Sequence, residues 1–212
     1  MVRKTKLDAE LTRQRIIDSA RAVFLVRGVS KTTLEHIAHH ANVTRGAVYW
    51  HFKNKTEIFH ALRNQVFLPL IDRMDDALAI TNNGDALFQI QKSLCDIVHQ
   101  LDENLEMRQT YEIMMIKCEY VDDFSTVLQQ ILTNCSSITQ KFQMAYERAQ
   151  SQQILVSTHT ALALALDTHL FFSGLLNMWV KDANGMQFRY QAISLIEAHV
   201  NLRRKSKDLI NN

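Results

Sequence analysis

Residues 28–59 of the 212-residue chain read GVSKTTLEHIAHHANVTRGAVYWHFKNKTEIF, and this stretch decides the fold. Thr32-Thr33-Leu34-Glu35 predicts a helix start, where a threonine hydroxyl accepts from an unpaired amide and Glu35 reaches back to the cap. Leu34, Ile37, Ala38 and Ala41 recur at helical spacing and mark the inner face of a short helix. Asn42-Val43 is the turn. Thr44 caps the next helix, Arg45 to about His51, with Ala47 and Val48 inward. Asn54, with Glu57 three residues on, opens a further helix whose inner side is Ile58, Phe59 and Leu62. Upstream, a first helix runs from about Asp8 to Arg27. Its face is Ile16, Ala20, Val23, Phe24 and Arg27, with Arg13, Arg15 and Arg21 largely on other faces. Gly28 follows where a left-handed C-cap residue belongs. Two short helices joined by a tight turn and backed by a longer one form a helix-turn-helix, although an ordinary helical hairpin has the same spacing.

The rest of the chain is helical too. Five Gly and one Pro in 212 residues leave little material for turns, and 47% apolar residues suffice for a core. Further helices are expected over roughly 84–102, 104–119, 123–151, 157–181 and 186–204, broken at Asn82-Asn83-Gly84 and Asp182-Ala183-Asn184-Gly185. Pro69 falls inside the fourth helical pattern and is expected to kink or weaken it by removing a backbone donor. The expected fold is all-α with about nine helices: a helix-turn-helix domain over 1–53 and a helical bundle over 54–212.

Charge separates the two parts. Residues 1–60 carry 11 Lys/Arg against 5 Asp/Glu, whereas residues 61–212 carry 13 against 17. A basic head on an acidic body is the electrostatic footprint of a nucleic-acid-binding module. Cys95, Cys118 and Cys135 form no CxxC pair and fit reduced cytosolic thiols rather than a zinc site. His36, His39 and His40 share a helix face at spacing that metal ligands use, but an exposed face explains them without a metal. The basic start, Met1 to Lys6, runs into charged residues rather than an apolar core, so no secretory signal and a cytoplasmic protein are expected. The apolar stretch Thr160–Val180 contains Asp167, Thr168, His169 and Asn177, which favours a buried helix over a membrane span. With no GxGxxG, P-loop, GxSxG or HExxH arrangement, neither an enzyme nor a cofactor is expected.

The TRGAVYWHFKNK run within residues 28–59 resembles the DNA-binding domain of the TetR family. The opening VRKTK, the segment Ile116-Lys-Cys-Glu-Tyr120 and the pattern Ser173-Gly-Leu-Leu-Asn-Met-Trp179 are similar to its AcrR branch, repressors of multidrug-efflux operons. The likeness is strong over the first quarter of the chain and patchy beyond it. It implies nine helices, with the third placed in the major groove of double-stranded DNA and the fourth acting as a lever. Helices five to nine would hold a ligand pocket and a dimer surface.

On that reading Arg45 pairs with a guanine edge, Thr44 donates to a phosphate or touches a thymine methyl, and Gly46 permits close approach. Tyr49, Trp50 and His51 resemble the family's aromatic phosphate contacts, with core packing the other reading for Tyr49 and Trp50. Lys55 clamps a phosphate, Thr33 donates to the DNA backbone, and Arg3, Lys4 and Lys6 form a basic arm.

The resemblance also implies a pocket for a small hydrophobic or amphipathic ligand. Its candidate lining is Phe67, Leu70, Met74, Met114, Cys118, Phe142, Tyr146 and Phe171, with Asp167, Ser173 and Asn177 as polar groups. Such stripes serve equally as plain core, while methionines and aromatics suit a pocket that repacks around varied ligands. Some drug-binding relatives carry a carboxylate midway along helix four, where this chain has Phe67; that departure weakens the case for a preference for cations, with Asp167 or Glu112 left as substitute carboxylates. The last two helices would pair with their symmetry mates in a homodimer bound to a near-palindromic operator. A regulator of non-efflux genes, or a helical adaptor without DNA binding, stays open beside the efflux repressor.

Overall fold

The computed structural model describes residues 6–79, 84–156 and 158–205, with the backbone alone for residues 67, 68 and 70–79. Among them α1 (Lys6–Arg27), α2 (Leu34–His40), α3 (Arg45–His51), α4 (Lys55–Ala79) and α5 (Ala86–Glu103) are followed by α6 (Leu105–Glu112), α7 (Ser125–Ser151), α8 (Ala161–Lys181) and α9 (Phe188–Asn201). A π-turn, Ile113–Lys117, extends α6, and a 3-10 turn, Asp122–Phe124, leads into α7. The all-α expectation holds. The chain divides into two compact units, Met1–Leu68 with Glu106–Gln130, and Pro69–Leu105 with Ile131–Asn212. The head expected over 1–53 lies inside the first unit, which also takes in the start of α4 and the segment 106–130. Pro69 sits within α4, whose helix continues to Ala79, and the second unit begins there.

In the first unit α1 packs on α2, α3 and the π-turn. Ile16, Ile17, Ala20, Val23 and Phe24 form its buried face, while Arg27 is exposed. Arg21, expected outside, is buried because two carboxylates meet it: Asp18 at 3.0 Å and Glu106 at 3.1 Å. Gly28 ends α1 at φ +79, in the left-handed region as expected, and its N–H donates to the Phe24 carbonyl. The next amide, Val29, donates to the Lys117 carbonyl at 2.8 Å, which ties the head to the end of the π-turn.

The start of α2 differs in one partner. Thr33 is the cap, its hydroxyl accepting from the His36 amide, and the His36 ring rather than Glu35 reaches back to the Thr33 N–H. The third helical residue owns that geometry, and with Thr33 as the cap it is His36. Thr32 instead donates to the Gly28 carbonyl at 2.7 Å. The turn between α2 and α3 runs through Asn42 at φ 52, a conformation asparagine tolerates.

In the second unit α9 packs against α5 and α8. Helix α8 starts four residues later than the expected 157. The Thr160 hydroxyl accepts from the Ala163 amide and so begins the helix after it. Upstream, residues 154–156 pair with 203–205, the Val156 N–H donating to the Arg203 carbonyl and the Lys205 N–H to the Ile154 carbonyl. That pairing also ends α9 at Asn201, short of the expected 204. Asp182 accepts from the amides of Gln187, Phe188 and Arg189, which sets the beginning of α9. The helix over 104–119 stops at Glu112 as an α-helix and finishes as the π-turn.

By length and composition α8 could cross a membrane. Nine of its 21 residues are buried in the unit, among them Thr168 and Trp179, while Leu162, Leu166, Leu170 and Met178 are exposed, so the helix is only partly the buried one expected.

Candidate nucleic-acid interface

Helix α3 has two unlike faces. Val48 is fully buried, and Phe52 in the C-cap is nearly so, with the Arg13 guanidinium 5.1 Å from its ring centre. These anchors leave Arg45, Gly46, Tyr49 and Trp50 on the opposite, exposed side, with His51 half-buried. Core packing is therefore not the role of Trp50, 73% exposed, or of Tyr49, 47% exposed. The Trp50 indole stands edge-on to the His51 ring at 4.5 Å. Arg45 donates to the Tyr49 hydroxyl at 3.3 Å, and its guanidinium carbon lies 5.4 Å from that ring centre. Both contacts orient a flexible cation before any partner arrives.

Thr33 and Thr44 are exposed at the starts of α2 and α3, and each hydroxyl accepts from an amide of its own helix. Accepting leaves the hydroxyl proton free to donate outward, the chemistry a phosphate oxygen requires. Lys6 is exposed at the start of α1. Arg3 and Lys4 lie outside the described residues. His39 and His40 are exposed on α2, while His36 serves as the capping partner. Lys53, missing from the expected set, is exposed directly after α3.

Lys55, expected to clamp a phosphate, has all its donors engaged within the protein. Its ammonium donates to the carbonyls of Val29 (2.6 Å), Ser30 (3.1 Å) and Thr32 (2.9 Å), and burial pushes its pKa down. The first turn of α4 thus holds the loop that enters α2. Nothing in the local sequence announces this, because the carbonyls lie 23 to 26 residues upstream. Lys55→Met is accordingly expected to lower thermal stability by about 1–3 kcal/mol, since it removes three charge-assisted hydrogen bonds to the carbonyls of Val29, Ser30 and Thr32. The slope of log K against log salt for DNA binding should stay as in the unaltered protein. A lysine bound to phosphate would instead take about one unit per head from that slope, so a salt titration separates the two roles.

The pocket candidates are divided between the two units. Phe67, Leu70 and Met74 have side chains outside the described residues. In the first unit Met114 is buried and Cys118 half-buried, its thiol pushed up to about 11 mainly by burial. The Tyr120 hydroxyl donates to the Met114 carbonyl at 2.9 Å.

In the second unit Phe142 and Tyr146 are buried, and the Tyr146 hydroxyl pairs with Thr168 at 2.7 Å. Asp167 and Phe171 do come together, on a cleft of about 600 Å³ shared with His199 and Arg203. There Arg203 is ion-paired with Asp167, and the Phe171 ring stacks on His199 at 3.8 Å. Burial, helped by the Arg203 charge, lowers His199 to about 4. Ser173 is exposed and Asn177 half-exposed, and neither lines this cleft.

The candidates omit one further residue. Arg63 of α4 is only 4% exposed, and its Nε and Nη1 have no hydrogen-bond partner. The clue lies in the α4 pattern, where an arginine interrupts the inward series Ile58, Phe59, Leu62, Val66.

Residues 16–62 match the family described as bacterial regulatory proteins, tetR family, and residues 85–204 match the MAATS-type transcriptional repressor C-terminal region. The chain is 35% identical over 184 residues to the HTH-type transcriptional regulator TtgR of Pseudomonas putida, covering 85% of each protein. Among solved structures it resembles NalD, the secondary repressor of the MexAB-OprM multidrug efflux pump in Pseudomonas aeruginosa. That match has 28% identity, a TM-score of 0.84, and coverage of 95% of this chain and 100% of NalD. It also resembles SmeT, repressor of the Stenotrophomonas maltophilia efflux pump SmeDEF, in complex with triclosan, at 26% identity, a TM-score of 0.79 and 93% coverage of both.

Proposed function

The chain belongs to the TetR family of bacterial regulatory proteins, and from that premise we propose that it represses a multidrug-efflux operon and is released from its operator by small hydrophobic ligands. The observation that carries this reading is the outward face of α3. Arg45, Gly46, Tyr49 and Trp50 lie together in solvent on a helix whose other face is locked by Val48 and Phe52. A large exposed aromatic beside an oriented guanidinium suits a major-groove contact, with Arg45 reading a base edge and Tyr49, Trp50 and His51 holding phosphates. The efflux role rests on the likeness to NalD and SmeT, and the ligand on the triclosan complex of SmeT.

The protein works as a homodimer through α8 and α9. Leu162, Leu166 and Leu170 follow at i+4 spacing along α8, exposed in the single chain, and Gly174 and Met178 continue the row. A helical glycine costs about 0.5–1 kcal/mol relative to alanine, and a Cβ at Gly174 would meet nothing within 4 Å. Close approach by a second helix accounts for it. Tyr190 on α9 and Leu202 at its C-cap are exposed as well. A twofold pair of heads calls for a near-palindromic operator, and a protein on bacterial DNA acts in the cytoplasm.

The switch runs through α4. Lys55 holds the carbonyls of Val29, Ser30 and Thr32, and the Lys117 carbonyl holds the Val29 N–H, so the loop entering α2 is gripped from two elements. A ligand that prefers a shifted α4 moves that loop and spoils the half-site spacing, given a coupling of about 1–3 kcal/mol.

The test is fluorescence anisotropy of the purified protein with DNA from upstream of its own gene, at fixed salt, with and without triclosan and other hydrophobic drugs. Specific binding relieved by a drug is expected. Specific binding that no drug disturbs would sink the efflux-sensor reading and leave a regulator of other genes. Binding no better than to scrambled DNA favours a helical adaptor.

A further inference from the structure

Among its described residues the first unit contains two buried arginines, and it treats them differently. Arg21 is enclosed by the carboxylates of Asp18 and Glu106, so its charge is matched and its geometry satisfied. Arg63 is more deeply buried, yet two of its three nitrogens meet no acceptor. A guanidinium does not shed its proton in a protein, so it cannot escape the mismatch by becoming neutral. An unpaired buried cation is among the most destabilising features a fold can retain. Side chains of similar length without charge, such as methionine, would fill the same space at no such penalty. An arginine placed under these conditions is ready for an acceptor from outside the chain.

The surroundings agree. Between Ile58 and Ile71 the sequence of α4 contains no Asp or Glu, and Glu57 is turned to the Lys53 N–H at 2.6 Å. Among the described residues, His60 and Tyr120 are titratable groups that feel the Arg63 charge. His60 is neutral-leaning, held down by burial and by Arg63 itself. Tyr120 gives its hydroxyl proton to the Met114 carbonyl, and burial pushes its ionisation upward, so it does not become the counter-anion. Tyr120 also stands edge-on to Phe59 at 6.5 Å, and Phe59 edge-on to Phe124 at 5.3 Å. Aromatic edges and an unmatched fork of donors are complementary to a flat ring bearing a negative group.

We propose that Arg63 is the anion-binding group of the effector site, and that the inducing ligand is a small aromatic acid whose carboxylate or acidic hydroxyl accepts from Nε and Nη1. This deepens the ligand-released repressor reading and rests on it for the consequence of binding, though not for the binding itself. The charge preference is the reverse of that of a cationic drug. Arg63 lies eight residues along α4 from Lys55, about 12 Å up the same helix, so an anion there acts on the element that grips the head.

The test uses three ligands of one shape: 2-naphthoate, 2-naphthalenemethanol and 2-naphthylmethylammonium. Their affinities for the full chain are measured by calorimetry without DNA, for the unaltered protein and for Arg63→Met and Arg63→Lys. Naphthoate is expected to bind at least tenfold tighter than the alcohol, and the ammonium more weakly than either. Arg63→Met should erase that order while melting no lower than the unaltered protein, since it removes an unpaired charge. Arg63→Lys should keep part of the preference, having charge without the fork.

Equal affinity for naphthoate and the alcohol, a preference that survives in Arg63→Met, or no binding of any of the three overturns the proposal. Operator release is measured separately. Drugs that release DNA without any anion preference sink only the role of Arg63. An Arg63-dependent preference for naphthoate with undisturbed operator binding upholds the anion site and sinks the release mechanism instead.

Discussion

Arg45→Ala is expected to weaken operator binding by about 30-fold to 10⁴-fold, the range for a twofold dimer that loses two bidentate contacts with guanine. The fold should be untouched. Arg45 is exposed, and its hydrogen bond and ring contact are with Tyr49, one turn along the same helix. The Tyr49 hydrogen bond holds the permanently charged guanidinium already aimed. Losing it removes a base contact and also frees Tyr49, which then has to be ordered on binding. Arg45→Lys is a sharper companion. It keeps the charge and hence the salt dependence, but lacks the planar fork, so discrimination between operator and scrambled DNA should fall with little change in slope. Anisotropy titrations over a series of salt concentrations give both quantities. A loss for Arg45→Ala that is equal on operator and scrambled DNA would make Arg45 a phosphate contact instead of a base reader.

The head is legible in the sequence because its signals are local. Thr33, Thr44, Gly28, Asn42 and Asn54 each act on backbone within four residues, so caps and turns follow from the sequence alone. Even there the capping partner of Thr33 shifts by one residue, since either of two adjacent threonines could be the cap. The exposed face of α3 is legible too, once Val48 is assigned inward. What is not legible depends on distant chain. Arg21 is buried because Glu106, 85 residues later, comes to meet it. Lys55 is engaged because the turn after α1 presents three carbonyls to it. The late start of α8 follows from residues 154–156 pairing with 203–205, at the far end of the chain. For the effector site, stripes of Met and Phe identify apolar surface in general but not a particular pocket. The more informative mark is the reverse, a charge within the stripe at Arg63, whose burial only the folded first unit reveals.

The second large effect concerns the dimer. Leu170→Glu is expected to turn the protein into a monomer at micromolar concentration and to lower operator affinity by about 10²–10⁴-fold, the advantage that linking two heads confers. Leu170 is 72% exposed in the single chain, so the substitution removes no internal packing and the monomer should melt much as before in the absence of a partner. Its position in the Leu162, Leu166, Leu170 row places it one turn before Gly174, where the proposed dimer brings its two helices closest. In a twofold interface a residue near the axis meets its own copy, so one substitution buries two like charges. Leu170→Ala, which only trims contact, should weaken the dimer far less and preserve most of the operator affinity. Sedimentation velocity and anisotropy on the same preparations link the two results. If Leu170→Glu remains dimeric, the α8 row is not the interface. If it is monomeric yet binds operator at full strength, the heads act independently, and half-site spacing is not what a ligand changes.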